Sequence, residues 1–202
     1  MPAMDTSYDA ILDLARRQGL IRPRDLEPLG LPRVLLTRMV SRGDLVRRGR
    51  GLYALPDHPV SEFATLSEVA RRHPQGVICL LSALRFHNLT TQAPFEVWLA
   101  IPNKARTPRG GGTPLRVVRF SGQALHEGIE EHIVDGVPVH ITGVAKTVAD
   151  CFKFRSKIGL DVAIEALREA WRERRTTMDE LWRFAAVCRV ANVMRPYLES
   201  LT

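Results

Sequence analysis

The chain of 202 residues carries a formal charge of +7 at neutral pH, and 45% of its residues are hydrophobic. This length accommodates one large domain or two small ones with real cores. No apolar run is long enough to cross a bilayer, and Asp5, Asp9 and Asp13 argue against a secretory signal, so we expect a cytoplasmic protein. The positive charge favours a polyanionic partner such as nucleic acid, although many soluble proteins are basic without binding DNA.

Two helical patterns separated by a glycine corner open the chain. The first helix is predicted to end at Gly19. Pro23 suits the first position of a short second helix, in which Leu26 and Leu29 face inward, and Gly30 supplies the corner. The candidate N-caps of the first helix are Asp5, Thr6 and Ser7.

A third helix and a basic hairpin follow. Pro32 is predicted to open the helix and Gly43 to end it, and strands at 45–47 and 52–55 flank the tip Arg48-Gly-Arg-Gly51. Helix, turn, helix and wing in this order predict a winged helix-turn-helix, which docks one helix in the DNA major groove and contacts phosphates beside it. The predicted buried stripe of the third helix is Leu36, Met39 and Val40.

The third helix presents a polar face to solvent. Arg33, Thr37 and Ser41 recur at i, i+4 and i+8, and an arginine there is suited to guanine O6 and N7. Arg38 and Arg42 flank this stripe within reach of phosphates; the alternative is a merely solvated helix face. The wing adds three arginines beside glycines that permit close approach to a DNA backbone: Arg47, Arg48 and Arg50.

Beyond Pro59 the pattern changes to a larger α/β segment that ends in helices. A buried helix, with a possible strand at its start, is predicted at 77–87, and Thr177-Met-Asp-Glu180 predicts a capping box. Strands are predicted at 95–101, 115–120 and 137–141, and further helices at 62–72, 145–154, 160–174 and 178–190.

A basic, glycine-rich loop spans residues 103–112. It lacks the Gly-Lys-Ser/Thr ending of a nucleotide-cradling loop, so a mobile connection between strands is favoured. The alternative is accessory phosphate contact from Lys104, Arg106 and Arg109. Residues 165–175 form a charge-laced helix, which is typical of a solvated face but also suits a partner-binding surface.

Neither a metal site, a cofactor nor a catalytic group is expected. Cys79, Cys151 and Cys188 are odd in number and widely spaced, as in buried, reduced cysteines of a cytosolic protein. His126 and His132 are six residues apart, whereas two zinc ligands on one helical face need i, i+4 spacing. No Gly-x-Ser-x-Gly elbow or Asp-x-Asp pair occurs, so we expect no enzyme.

These residues together resemble the AbiEi family of type IV antitoxins over nearly the full chain. The resemblance rests on the module at 19–55, on Leu81-Ser-Ala-Leu84 with His87 and the strand 96–101, and on Gly136–Thr142 leading to Lys146-Thr-Val-Ala-Asp150. Lys146 stands where the family usually has arginine, and an ammonium cannot form a bidentate bond. Arg22 stands where the module often has a Thr or Ser cap.

The resemblance implies two domains, a winged helix at 1–58 and an antitoxin-like domain at 59–202. It also implies an autorepressor that binds double-stranded DNA at its own promoter and counteracts a nucleotidyltransferase-like toxin. Two other hypotheses remain open. One is a stand-alone regulator without a toxin partner; the other is a DNA-targeted nuclease, for which Glu96 near Lys104 is the only faint candidate.

Overall fold

The computed structural model describes residues 3–108 and 112–201 and has a mixed architecture, with 49% helix and 18% strand. This confirms the predicted α+β class. The chain divides into two compact units. Of the described residues, the N-terminal unit holds those up to Arg72, Gly112, Thr113 and Ile133–Pro138, and the C-terminal unit holds the rest. The functional boundary at residue 58 stays a prediction.

The N-terminal unit contains the predicted helix-turn-helix and wing. Ile21 pairs with Tyr53 through two backbone hydrogen bonds of 2.9 and 3.0 Å, which adds a short third strand segment to the hairpin. Gly30 and Gly43 both adopt the left-handed conformation, with φ of 64° and 82°, at the two corners where the sequence predicted them. The elements are α1 (Ala3–Gln18), a 3₁₀ helix (Pro23–Leu29), α2 (Val34–Arg42), β1 (Val46–Gly49), β2 (Leu52–Ala54) and α3 (Ala64–Arg72).

The core of the helix-turn-helix forms where the helical spacing predicts it. Leu36 and Met39 of α2 are fully buried, and Leu35 joins them, while Val40 is only partly buried. These side chains pack with apolar residues of α1, of the 3₁₀ helix and of the segments just before the 3₁₀ helix and before β1. The residues are Ile11, Leu14, Ala15, Ile21, Leu26 and Leu45. Burial of this continuous apolar surface is what holds three short elements together.

Some local predictions for this unit are wrong. Helix α1 already begins at Ala3, so Thr6 and Ser7 lie inside it and not at its N-cap. Leu29 is 43% exposed instead of inward-facing, although three residues per turn place it on the same side of the 3₁₀ helix as the buried Leu26. Helix α2 begins at Val34, so Pro32 precedes its first turn.

The C-terminal unit is built on a five-stranded mixed sheet in the order β5-β4-β3-β7-β6. Strand β3 pairs antiparallel with β4 and parallel with β7, and β4 pairs parallel with β5. A two-residue turn with positive φ at Asp135 and Gly136 joins β6 to β7, and this turn, with the adjoining strand ends (Ile133–Pro138), belongs to the N-terminal unit. The strands are β3 (Val77–Ile78), β4 (Val97–Pro102), β5 (Leu115–Phe120), β6 (Ile129–Val134) and β7 (Val137–Thr142).

Helix α6 is the central helix of this unit. All of its residues from Ala145 to Phe152 are buried, and it packs against α4, α8 and α9. The helices are α4 (Leu80–Phe86), α5 (Gln123–His126), α6 (Val144–Lys153), α7 (Arg155–Ile158), α8 (Leu160–Arg172), α9 (Met178–Val187) and α10 (Ala191–Glu199). In the described part of the chain, none of the helices is both long and apolar enough to cross a membrane.

The sequence predictions for this unit are correct for its strongest patterns and incomplete elsewhere. Strand β5 has the predicted bounds, and Thr177 accepts a hydrogen bond from the Glu180 amide in the predicted capping box. Residues 77–87 form a two-residue strand and then a helix, and the predicted helix at 178–190 ends at Val187. Three helices and a strand were not predicted: α5, α7, α10 and β6.

Candidate nucleic-acid interface

The outer face of α2 carries the predicted polar side chains. All five predicted contact residues on and beside this helix are exposed, while the opposite side is buried in the unit. The separation of the two faces follows from the helical spacing of the sequence. The five residues are Arg33, Thr37, Arg38, Ser41 and Arg42.

The side chains on the N-terminal half of this face make few contacts within the protein. Arg33 occupies the N-cap position of α2, and its side chain does not cap the helix. Within the described residues, the side chains of Arg33, Thr37 and Arg38 form no hydrogen bond or ion pair. Val34, which the sequence reasoning missed, is 47% exposed beside Arg33. An apolar side chain held in water at this position is suited to contact with a thymine methyl group.

The C-terminal half of the same face is held by intramolecular contacts. Ser41 Oγ donates to the Thr37 carbonyl at 3.1 Å. Arg42 Nε lies 3.0 Å from a carboxylate oxygen of Asp44, and its guanidinium stacks 4.7 Å from the ring centroid of Tyr8. The Arg42 side chain is therefore more constrained by intramolecular contacts than those of Arg33 and Arg38.

The wing separates its three arginines. Arg47 and Arg50 are exposed, and Arg47 Nε donates to the Gly49 carbonyl at 3.2 Å. Arg48 is half-buried, because neighbouring residues of a strand point to opposite faces, and it donates to the His58 carbonyl at 3.2 Å. A register shift between Arg47 and Gly49 bends the hairpin at this point. The phosphate-contact role of these arginines stays a prediction.

A polar cluster that the sequence reasoning missed connects α3 to the 3₁₀ helix. The Asp25 carboxylate accepts from the Arg22 amide at 2.7 Å and pairs with the guanidinium groups of Arg22 and Arg71, at 3.2 and 2.6 Å. Gln18 accepts from Arg71 as well. Burial lowers the pKa of Arg71, and Asp25 acts in the opposite direction. The sequence signal for this cluster is an aspartate three residues after Arg22. The Asp25 carboxylate accepts from the backbone amide at the start of the 3₁₀ helix, whereas an arginine side chain has no acceptor for such a bond.

Residues 9–56 match the model of a family described as transcriptional regulator, AbiEi antitoxin. The match covers about a quarter of the chain and runs from within α1 to Pro56, just after the wing. It confirms the resemblance to this family for the segment that includes α2 and the wing. The match does not extend to the Leu81 and Lys146 motifs, where the resemblance stays an expectation from the residues themselves.

The fold is similar to that of a solved structure of low sequence identity. The crystal structure of the RV2827C protein from Mycobacterium tuberculosis aligns with a TM-score of 0.58 and 15% identity, covering 90% of this chain and 71% of that one. At this identity the similarity concerns the fold alone. No curated protein matches the chain.

Outside the matched segment, two of the predicted accessory residues lie on an exposed loop. Lys104 and Arg106 are exposed between β4 and β5, and Arg109 lies outside the described residues. The guanidinium of Arg119 donates to the carbonyls of Asn103 and Ala105, at 2.6 and 2.9 Å. The start of the loop is therefore held against β5.

The Lys146–Asp150 motif forms a buried ion pair in the C-terminal unit. Lys146 Nζ lies 2.5 Å from Asp150 Oδ2, and both side chains are at most 1% exposed. The ammonium also lies 4.5 Å from the ring centroid of Phe120, and Cys188 Sγ donates to Asp150 Oδ1 at 3.2 Å. Burial raises the pKa of Asp150, and the nearby ammonium acts in the opposite direction. The pair is therefore almost fully enclosed, and Asp150 also lines a cavity of about 140 Å³.

The three cysteines are buried, as predicted. Burial raises the pKa of Cys188 to about 12 and that of Cys79 and Cys151 well above the usual thiol range. The thiols therefore stay protonated at neutral pH and are poor nucleophiles. Across residues 3–108 and 112–201, no group of three or more His, Cys, Asp or Glu side chains is placed to hold a metal ion.

Proposed function

We propose that this protein is a transcriptional autorepressor that binds double-stranded DNA at its own promoter through α2 and the wing. The observation that carries the proposal is that Arg33, Thr37 and Arg38 lie exposed on the outer face of α2, with no side-chain hydrogen bond or ion pair within the described residues. These residues belong to the segment that matches a family of transcriptional regulators. The N-terminal residues of a recognition helix are those that meet base edges in this class of module. Arg33 would read a guanine, and Val34 a neighbouring thymine methyl.

We further propose that it is the antitoxin of a type IV toxin–antitoxin system, acts in the cytoplasm and has no enzymatic activity of its own. The family description and the resemblance of the Lys146 segment support this finer role. The C-terminal unit would then oppose a nucleotidyltransferase-like toxin, with the exposed charged face of α8 as a candidate surface.

A stand-alone regulator is the second candidate, because the family match covers only the DNA-binding module. The neighbouring gene separates the two functions. A nucleotidyltransferase reading frame next to this gene, whose product arrests growth unless this protein is co-expressed, supports the antitoxin. If the neighbouring product is harmless, the antitoxin role is wrong and the regulator remains.

The full-length protein is expected to bind DNA in a salt-dependent way. Non-specific affinity should be about 10⁻⁴ to 10⁻⁶ M at physiological salt and should tighten on promoter DNA, since exposed arginines release counterions from phosphates. Fluorescence anisotropy on labelled promoter and scrambled duplexes measures both affinities across a salt series. Absence of salt-dependent binding to either duplex would refute the repressor.

The variants Arg33→Ala and Arg50→Ala are expected to weaken DNA binding in different ways. Arg33→Ala should cost about 1–3 kcal/mol of binding free energy on the operator and relax preference at one base pair, because a base contact is lost. Arg50→Ala should weaken all sequences alike and reduce the salt slope by about 1, as expected for one phosphate contact. Binding to a library of operator variants distinguishes the two patterns. A sequence-independent loss for Arg33→Ala would mean that α2 docks differently.

A further inference from the structure

A cavity of about 210 Å³ lies within the N-terminal unit beside the wing. Its wall is formed by β1, by the segment after the wing, by α3 and by the β6–β7 turn. All of its lining residues belong to this one unit. A cavity of about 150 Å³ is enough to hold benzene, so this one can hold a molecule of the size of valine.

Two buried polar atoms in the cavity wall lack a partner. Arg48 donates through Nη2 to the His58 carbonyl, but its Nε is buried without a hydrogen-bond acceptor. His58 Nε2 is also buried and unpartnered. An unsatisfied buried polar atom costs free energy, and a ligand group that pairs with it recovers that cost. Arg48 and His58 both line the cavity.

The wall also carries negative charge. Glu68 and Asp135 line the cavity together with Arg48. The Asp135 carboxylate accepts from the Ser61 amide through Oδ1 at 3.1 Å, and Glu68 Oε2 accepts a long bond of 3.4 Å from Thr113. An anionic ligand would face two carboxylates, and a cationic ligand would leave Arg48 Nε without an acceptor.

The rest of the wall is mostly apolar and consists of Leu20, Pro59, Val60 and Ala64, with Ser67, whose hydroxyl donates to the Ala64 carbonyl at 2.8 Å. A ligand with a carboxylate, an ammonium group and a short aliphatic part would therefore meet a matching group on each part of the wall formed by Arg48, the two carboxylates and the apolar side chains.

We propose that this cavity is a binding site for a small zwitterion, an α-amino acid with a short aliphatic side chain. The ligand carboxylate accepts from Arg48 Nε, the ammonium group donates to Glu68 and Asp135, and the aliphatic part contacts Val60 and Ala64. Because Arg48 lies on β1 next to the exposed Arg47, the ligand would touch the strand that also carries the wing contacts.

Isothermal titration of the full-length protein with glycine, alanine, valine and leucine tests the site without DNA. We expect at least one of these amino acids to bind. Two analogues of that amino acid, one without the ammonium group and one without the carboxylate, should bind at least about tenfold more weakly, because each lacks a charge-assisted hydrogen bond. If the carboxylate-only analogue binds equally well, the zwitterion assignment is wrong. If none of the four amino acids binds, the cavity holds water only and the proposal is overturned.

Two variants locate the binding. Glu68→Gln is expected to weaken affinity about tenfold or more, whereas Glu27→Gln, an exposed glutamate outside the cavity, should leave it unchanged. Ala64→Leu fills the cavity and should abolish binding while thermal unfolding stays cooperative. Equal effects of Glu68→Gln and Glu27→Gln, or undiminished binding in a folded Ala64→Leu protein, would place the ligand elsewhere.

Discussion

Lys146→Met is expected to lower the free energy of unfolding by about 3–5 kcal/mol, because it leaves the Asp150 carboxylate buried without its counter-ion. Asp150 would retain only the Cys188 thiol among its present side-chain partners, and a thiol is a weak donor. Burial already raises the pKa of Asp150, so the variant relieves the charge by taking up a proton at the cost of stability. Urea denaturation followed by circular dichroism measures the loss.

Two matched variants decide whether the pair is the cause. Lys157→Met removes an exposed lysine from the neighbouring helix α7 and should change stability by less than about 0.5 kcal/mol. Lys146→Met combined with Asp150→Leu replaces both charges by apolar groups and should recover much of the loss. A double variant that is as unstable as Lys146→Met plus Asp150→Leu measured separately would show that the two charges do not act as a pair.

Loss of Arg33, Arg38 and Arg50 together, each changed to alanine, is expected to abolish repression while leaving protection against a co-expressed toxin largely intact. These three side chains are exposed and, within the described residues, have no hydrogen-bond or ion-pair partner, so their removal should not disturb the fold. Arg48 is left unchanged because it is half-buried and bonded to His58. A promoter reporter and a growth-rescue assay in the same strain measure the two activities.

A second triple variant with the same loss of charge provides the control. Arg168, Arg172 and Arg174 are exposed in the C-terminal unit, and changing them to alanine should leave repression in place. If that control also loses repression, net charge explains the effect and the assignment of α2 is wrong. If the first triple variant loses protection at normal protein abundance, the two activities share a surface.

Local signals in the sequence were sufficient to predict most of the winged helix-turn-helix. Gly30 and Gly43 mark corners that need positive φ, and the apolar spacing around Leu36 and Met39 separates the buried from the exposed face of α2. Each of these features depends on residues within one or two turns of the chain, so no knowledge of distant contacts is needed. The exposed positions of Arg33, Thr37 and Arg38 follow from the same spacing.

Elements without such signals could not be predicted in the same way. Helix α9 ends near Arg189, which has positive φ without being glycine, and α10 contains Pro196. Pattern rules expect glycine at a helix end and no proline inside a helix, so they place the end of α9 wrongly and miss α10. Three of the six residues of strand β6 are polar and only Val134 is buried, so the strand lacks a clear apolar pattern, and the Asp135-Gly136 turn after it is its main local hairpin signal.

The sequence by itself determined the helix-turn-helix, the wing, the order of the main strands and helices, and the basic face of α2, because periodicity, glycine corners and caps are local properties. Only the tertiary structure decided which basic side chains are held by contacts within the protein and which are exposed without a partner. Arg48 and Arg71 are held by His58 and Asp25, and Lys146 is enclosed with Asp150. The physical reason is that burial and pairing depend on groups distant in the chain, which composition and spacing do not specify.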